Sequence, residues 1–166
     1  MKSDLVKTVF AYQMREDRRL WDEVIMPLDE MLFYVDTGYS WGSLQRECAH
    51  VVDAMHGYMQ RLHGSKQVGK AFAVDDPHRA QVRERWDAVE AEWRSYIARF
   101  DDGEFDRMLV TVYRETQITV PAWQLVFQVF NHNTLHRAEI IQIVAALAEP
   151  VDFDASFARY CIQNAE

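Results

Sequence analysis

Cysteine is nearly absent from this chain: Cys48 and Cys161 are the two among 166 residues, and no CxxC pair occurs. That excludes a disulfide framework and points to a reduced, cytoplasmic setting. Glycine and proline are also few, at six and four, with no Ser/Gly/Pro linker, internal repeat or low-complexity tract. One helical domain over residues 1–166 is therefore expected. There is no long hydrophobic run; the most apolar stretch, Ile140 to Leu147, is interrupted by Gln142 and is far too short to span a bilayer. The N-terminal segment becomes charged again at Arg15 and lacks a small-residue cleavage site, so it does not read as a signal peptide. Positive charge is in deficit: 18 Lys and Arg stand against 26 Asp and Glu, a net charge of −8. A nucleic-acid backbone binder needs clustered positive charge to release counterions, and an anionic membrane surface needs the same. Neither partner is expected.

What is present suits a globular chain, with 49% apolar and 27% charged residues. The length supports one core without a stapling metal or disulfide. The pattern is one of long helices with short breaks. The first helix is expected from about Ser3 to Ile25, using Leu5, Val9, Tyr12, Leu20 and Trp21 as apolar positions, and ended by Pro27. A second, capped by Ser40 or Ser43, should reach Leu62 before Gly64. Asp76-Pro77 reads as the start of a third, with Asp76 as its cap. Its apolar Val82, Trp86, Val89, Trp93 and Tyr96 step by four and three, the spacing of a helix facing a core. Asp101-Asp102-Gly103 should close it. Between Arg107 and Val120, β-branched residues alternate on both sides of Glu115-Thr116, which predicts a hairpin. Pro121 opens a fourth long helix towards Ala148, and a short one follows from Asp154 to about Gln163. The expectation is an all-α bundle with one inserted hairpin.

Two of the six histidines, His132 and His136, lie four residues apart on the fourth helix. That spacing puts their Cβ atoms roughly 6 Å apart on one face, where two imidazoles can share an ion at about 2.1 Å each. At about 100° per residue, Glu139, Leu125, Val129 and Ile143 fall on the same stripe. Two imidazoles and a carboxylate on an apolar stripe are costly unless satisfied. A bound cation would satisfy them, and so would a hydrogen-bonded His–Glu cluster. The opposite side of the helix is apolar too, with Trp123, Phe127, Phe130 and Ile141. The rest of the bundle or a second subunit would cover it, and a homodimer is expected.

Asn133 after His132 rules out the HExxH of a zincin, which would need its general base there. Glu47-Cys48-Ala49-His50 is an ExxH pair, but neither His132 nor His136 completes a second, which argues against a di-iron centre. His50, edged by Ala54, Gly57 and Glu47, is the best candidate for a third ligand. His56 and His63 point about 120–140° away from it and should face solvent or a partner. His78 should be exposed. Asp53 and Arg61 lie near the His50 stripe, where each could touch a substrate or join a solvated salt bridge. Cys48, about 160° from His50, reads as a core residue.

Two segments carry a resemblance. Ser40-Trp41-Gly42-Ser43-Leu44 leading into Cys48-Ala49-His50-Val51-Val52, then Gln60-Arg61-Leu62-His63-Gly64, resembles the second helix of the DinB/YfiT-like superfamily. Phe130-Asn131-His132-Asn133-Thr134-Leu135-His136-Arg137 resembles its late Asn-His-x-x-x-His-Arg signature. Phe10-Ala11-Tyr12 and the hairpin fit as well, so the resemblance covers most of the chain. It implies an up-down four-helix bundle with a divalent metal held by His50, His132 and His136. The association of that name with DNA damage concerns induction, not DNA binding. Where the family commonly continues His-Arg-Gly-Gln, this chain has His136-Arg137-Ala138-Glu139, a carboxylate in place of an amide.

Three imidazoles and an open position make a Lewis-acid site that activates water or a thiol. The resemblance implies thiol-cofactor-dependent transferase or isomerase chemistry, and thiol transfer or hydrolysis at the ion is the leading expectation, although no segment identifies a thiol cofactor. Glu139 could ligate the ion, orient a histidine, or serve as base. Zinc, nickel, iron and manganese all suit such a ligand set, and the small-molecule substrate is not legible. Two other readings are a closed, non-catalytic metal-stabilised or sensor dimer and a metal-free dimeric interaction domain.

Overall fold

The computed structural model describes residues 2–113, 115–148 and 151–165. The chain is mostly helical. Helix α1 spans Lys2–Arg19 and runs on as a π-turn over Leu20–Ile25, closed by Met26 N–H donating to Trp21 O at 2.9 Å. Pro27 then stops it. A long connection follows, pinned by a 3₁₀ turn at Glu30–Tyr34 whose Phe33 is fully buried against Trp21. Helix α2 covers Leu44–Leu62 and is capped by Ser43, whose side chain accepts from Arg46 N–H.

Helix α3 spans Arg79–Ala98, two residues later than Asp76-Pro77 suggests. Asp76 is not its cap. Pro77 is buried with its carbonyl accepting from Gln45, and the α3 end is satisfied instead by Gln81, which accepts from His78 N–H at 2.8 Å. The five apolar positions read from its sequence are all buried. Asp101 does not merely close α3: it caps a one-turn helix, α4, at Asp102–Asp106. The hairpin consists of β1, Met108–Tyr113, paired antiparallel with β2, Thr116–Pro121. Leu109 faces Val120 and Thr111 faces Ile118 in the register. Helix α5 occupies Ala122–Leu147 and α6 occupies Phe157–Gln163.

The four long helices, α1, α2, α3 and α5, form a bundle. α1 packs on α3 and α5, and α2 packs on the same two, so α1 and α2 occupy one diagonal. Trp86, Trp93, Phe100, Met55 and Ile143 fill the centre. The Trp93 indole also donates its N–H to Met55 O at 3.1 Å, tying α3 to α2 with the polar end of an otherwise apolar side chain. In α1 the inward residues are Val6, Phe10 and Met14, whereas Leu5, expected in the core, is 58% exposed. The second apolar side of α5 is covered in part by the chain itself, because Phe105 of α4 stacks on Trp123 at 5.7 Å. Phe127 and Ile141 remain half-buried. No helix among the described residues is long and apolar enough to cross a membrane.

Candidate metal centre

Where α2 packs on α5, His50 meets His132 and His136. The His50 and His132 Nε2 atoms are 3.1 Å apart. One nitrogen from each of the three rings lies within 4.8 Å of the others. Two nitrogens bound at about 2.1 Å to one tetrahedral ion sit about 3.4 Å apart, so closing this group around an ion needs only small rotamer shifts. The three-histidine group is compatible with metal binding.

The donor set fits such an ion in a second respect. Nδ1 of His136 is taken by Glu47, a fully buried carboxylate of α2, at 2.5 Å. Glu139 Oε2 also lies 2.6 Å from that nitrogen, so Glu47, His136 and Glu139 form a second group of ligand-type atoms, all within 4.8 Å of one another. A carboxylate bonded to one imidazole nitrogen fixes the tautomer and leaves the other nitrogen as the ligand atom. His132 differs, since its buried Nδ1 has no partner among the described residues.

The local field favours neutral rings at two positions. Burial, with the neighbouring His136, pushes His132 down to about 4. Burial lowers His50 as well. His136 goes the other way: burial pulls it down, but the hydrogen bond and charge of Glu47 outweigh that and raise it. Burial pushes Glu47 up, yet its bond to His136 holds it below its ordinary value. Unprotonated imidazole is the form that binds metal.

Over this cluster lies the 36–42 loop. Gly42 has φ +94°, and a Cβ there would come within 2.9 Å of Asp36 Oδ1, so the loop requires glycine. Trp41, beside it, stacks its indole on His50 at 4.2 Å and 24°, while the Trp41 backbone N–H donates to Glu47 Oε2 at 3.4 Å. The loop thus covers one ligand candidate and holds the carboxylate that orients another.

The remaining residues singled out from sequence fall elsewhere. His56 bonds Gln60 and Arg85, His63 is exposed beside Tyr96, and His78 is exposed beside Tyr34. Asp53 and Arg61 join no salt bridge among the described residues: Asp53 accepts from Ala71 N–H at 2.6 Å, and Arg61 lies over the Tyr58 ring. Glu47 and Trp41 were not expected at the centre. The signal for Glu47 was its position one turn before His50, on the same face of α2.

Cys48 is 1% exposed and burial pushes its thiol far above the ordinary range, whereas Cys161 is exposed. Titration of the native protein with an aromatic disulfide reagent should therefore report about one reactive thiol per chain, and two after unfolding. Two rapidly reacting thiols in the native state would contradict the packing of α2.

The DinB family model matches residues 1–159. No curated protein and no solved structure matches the chain.

Proposed function

Since the chain belongs to the DinB family, we propose that His50, His132 and His136 hold one divalent metal ion and that the protein is a metal-dependent enzyme of the transferase or hydrolase type. The observation that carries this reading is the convergence of three imidazoles from two helices, one of them bonded from behind by the buried Glu47. An ion held there would supply Lewis acidity, lowering the pKa of a bound water or thiol. Glu47 keeps the proton on Nδ1 of His136 and so fixes which nitrogen faces inward. Trp41 shields His50 from water on one side. Glu139, whose Oε2 lies 2.6 Å from the same Nδ1, adds a second carboxylate behind His136 and strengthens that orientation.

Metal analysis of the untagged protein by elemental mass spectrometry tests this. About one zinc, nickel, iron or manganese per chain is expected. A chain that carries none, and takes up none when zinc, nickel or iron is added, refutes the reading and leaves the cluster as a hydrogen-bonded one.

The cluster of Glu47, His136 and Glu139, whose ligand-type atoms lie within 4.8 Å of one another, favours a second reading, in which Glu139 is a ligand and the centre is closed and non-catalytic. Glu139→Gln separates the two. Retained metal with an exchangeable water, seen by paramagnetic relaxation of the cobalt-loaded protein, is expected of the open site. Loss of the metal from this variant would establish Glu139 as a ligand instead.

A further inference from the structure

Beside the histidine centre, the inner face of the hairpin forms a cleft of about 210 Å³ against α2 and α5, room for a ligand smaller than drug-sized ones. Its walls are mixed: Ile118 and Val120 from β2 and Leu125 from α5 supply apolar surface, and Gln124 and Gln128 of α5 supply amides. Two polar features in it are unexplained by the fold. The first is Thr111, 2% exposed on the inner face of β1 where Leu109 sits two residues earlier. Its hydroxyl is buried with no hydrogen-bond partner among the described residues. Such an orphaned group destabilises the free protein, and a valine there would avoid that cost. The second is Arg61, whose guanidinium rests over Tyr58 and pairs with no carboxylate among the described residues. Gly57 makes room for it: a Cβ at that position would stand 3.2 Å from Arg61 Nη1 and 2.9 Å from Val68. In a chain of net charge −8, an unpaired arginine beside an orphaned hydroxyl is a place prepared for an anion.

We propose that this cleft binds a small molecule with an apolar body and a carboxylate, the carboxylate being held by Arg61 and the Thr111 hydroxyl. The site adjoins the metal centre on both helices. Arg61 also lines the groove that contains His50, and Gln128, which lines the cleft, precedes His132 by one turn of α5. That the molecule is the substrate rests on the metal reading above; that it binds does not.

The test is calorimetric titration of the full chain with 4-phenylbutyrate and with the matched neutral amide. Binding of the acid and not the amide is expected, weakened about tenfold or more in Arg61→Met and several-fold in Thr111→Val. The same titration on a His132→Ala/His136→Ala chain should leave the acid's affinity within about twofold, which separates this proposal from the metal reading. Folding of each variant is checked by near-ultraviolet circular dichroism. Equal binding of acid and amide, or undiminished affinity in Arg61→Met, overturns the proposal. So does binding that disappears in the double histidine variant but persists in Arg61→Met, because the carboxylate would then sit at the histidine centre rather than on Arg61. An absence of binding to the correctly folded wild-type chain also overturns it for this class of acid.

Discussion

A chain carrying His132→Ala and His136→Ala is expected to purify with essentially no metal, against about one ion per chain for the unaltered protein. Two of three imidazoles vanish, and the remaining His50 on α2 holds no ion by itself. The comparison is sharpened by Glu47→Gln. Glu47 does not belong to the three-histidine group; it bonds Nδ1 of His136. Losing a carboxylate that orients a ligand typically weakens metal affinity about 10–100-fold without abolishing it. A graded series is therefore predicted in competition with a chromogenic chelator: full affinity, a 10–100-fold loss for Glu47→Gln, and no measurable site for the double histidine variant. His132→Ala alone leaves the Glu47–His136 bond in place and controls for the buried carboxylate that the double variant strands. Metal content unchanged by the double substitution would place any bound ion elsewhere.

The second large effect concerns stability. Asp17 of α1 and Arg137 of α5 form an ion pair at 2.8 Å, both with side chains under one-tenth exposed. Asn133 donates to the other Asp17 oxygen at 2.8 Å, and Arg137 also donates to Gln13 at 2.7 Å. Burial pushes the Asp17 carboxyl above its ordinary value even with Arg137 beside it, which shows that desolvation outweighs the attraction. Such a pair contributes little net stability, but breaking it strands a buried charge. Asp17→Ala should cost about 3–5 kcal/mol in urea unfolding, whereas Asp17→Leu with Arg137→Met should recover most of that loss. A single substitution costing under about 1 kcal/mol would mean that Arg137 finds water on its own.

This network bears on the metal centre through geometry. Asn133 and Arg137 each follow a candidate ligand by one residue, so they point about 100° away from His132 and His136 around α5. Anchoring them to α1 sets the rotation of α5 and turns the histidine face towards α2. The recovered double variant should therefore fold yet bind metal less tightly than the parent, a difference that the chelator competition would read.

Helix periodicity, the hairpin, the Pro27 and Pro121 boundaries and the core face of α3 were all legible from residues alone, because each depends on local spacing and on backbone restrictions. So was the pairing of His132 with His136, which follows from the helical repeat. The start of α3 and the exposure of Leu5 were not. They were settled by which neighbour supplied a hydrogen bond and by which face of α1 met α3 and α5. Glu47 shows the limit most clearly. Its ExxH spacing with His50 was visible, but a carboxylate's role depends on what lies opposite, and His136 is 89 residues away in the chain. Nothing in the sequence likewise marks Asp17 and Arg137 as partners until the bundle buries them together, 120 residues apart in the chain. Sequence determined the elements, their apolar faces and the stock of ligating side chains, since these are properties of near neighbours. Only the packing of α2 and α1 against α5 decided which of those side chains meet, because long-range pairing, burial and the resulting pKa shifts exist only once distant segments share a low-dielectric interior.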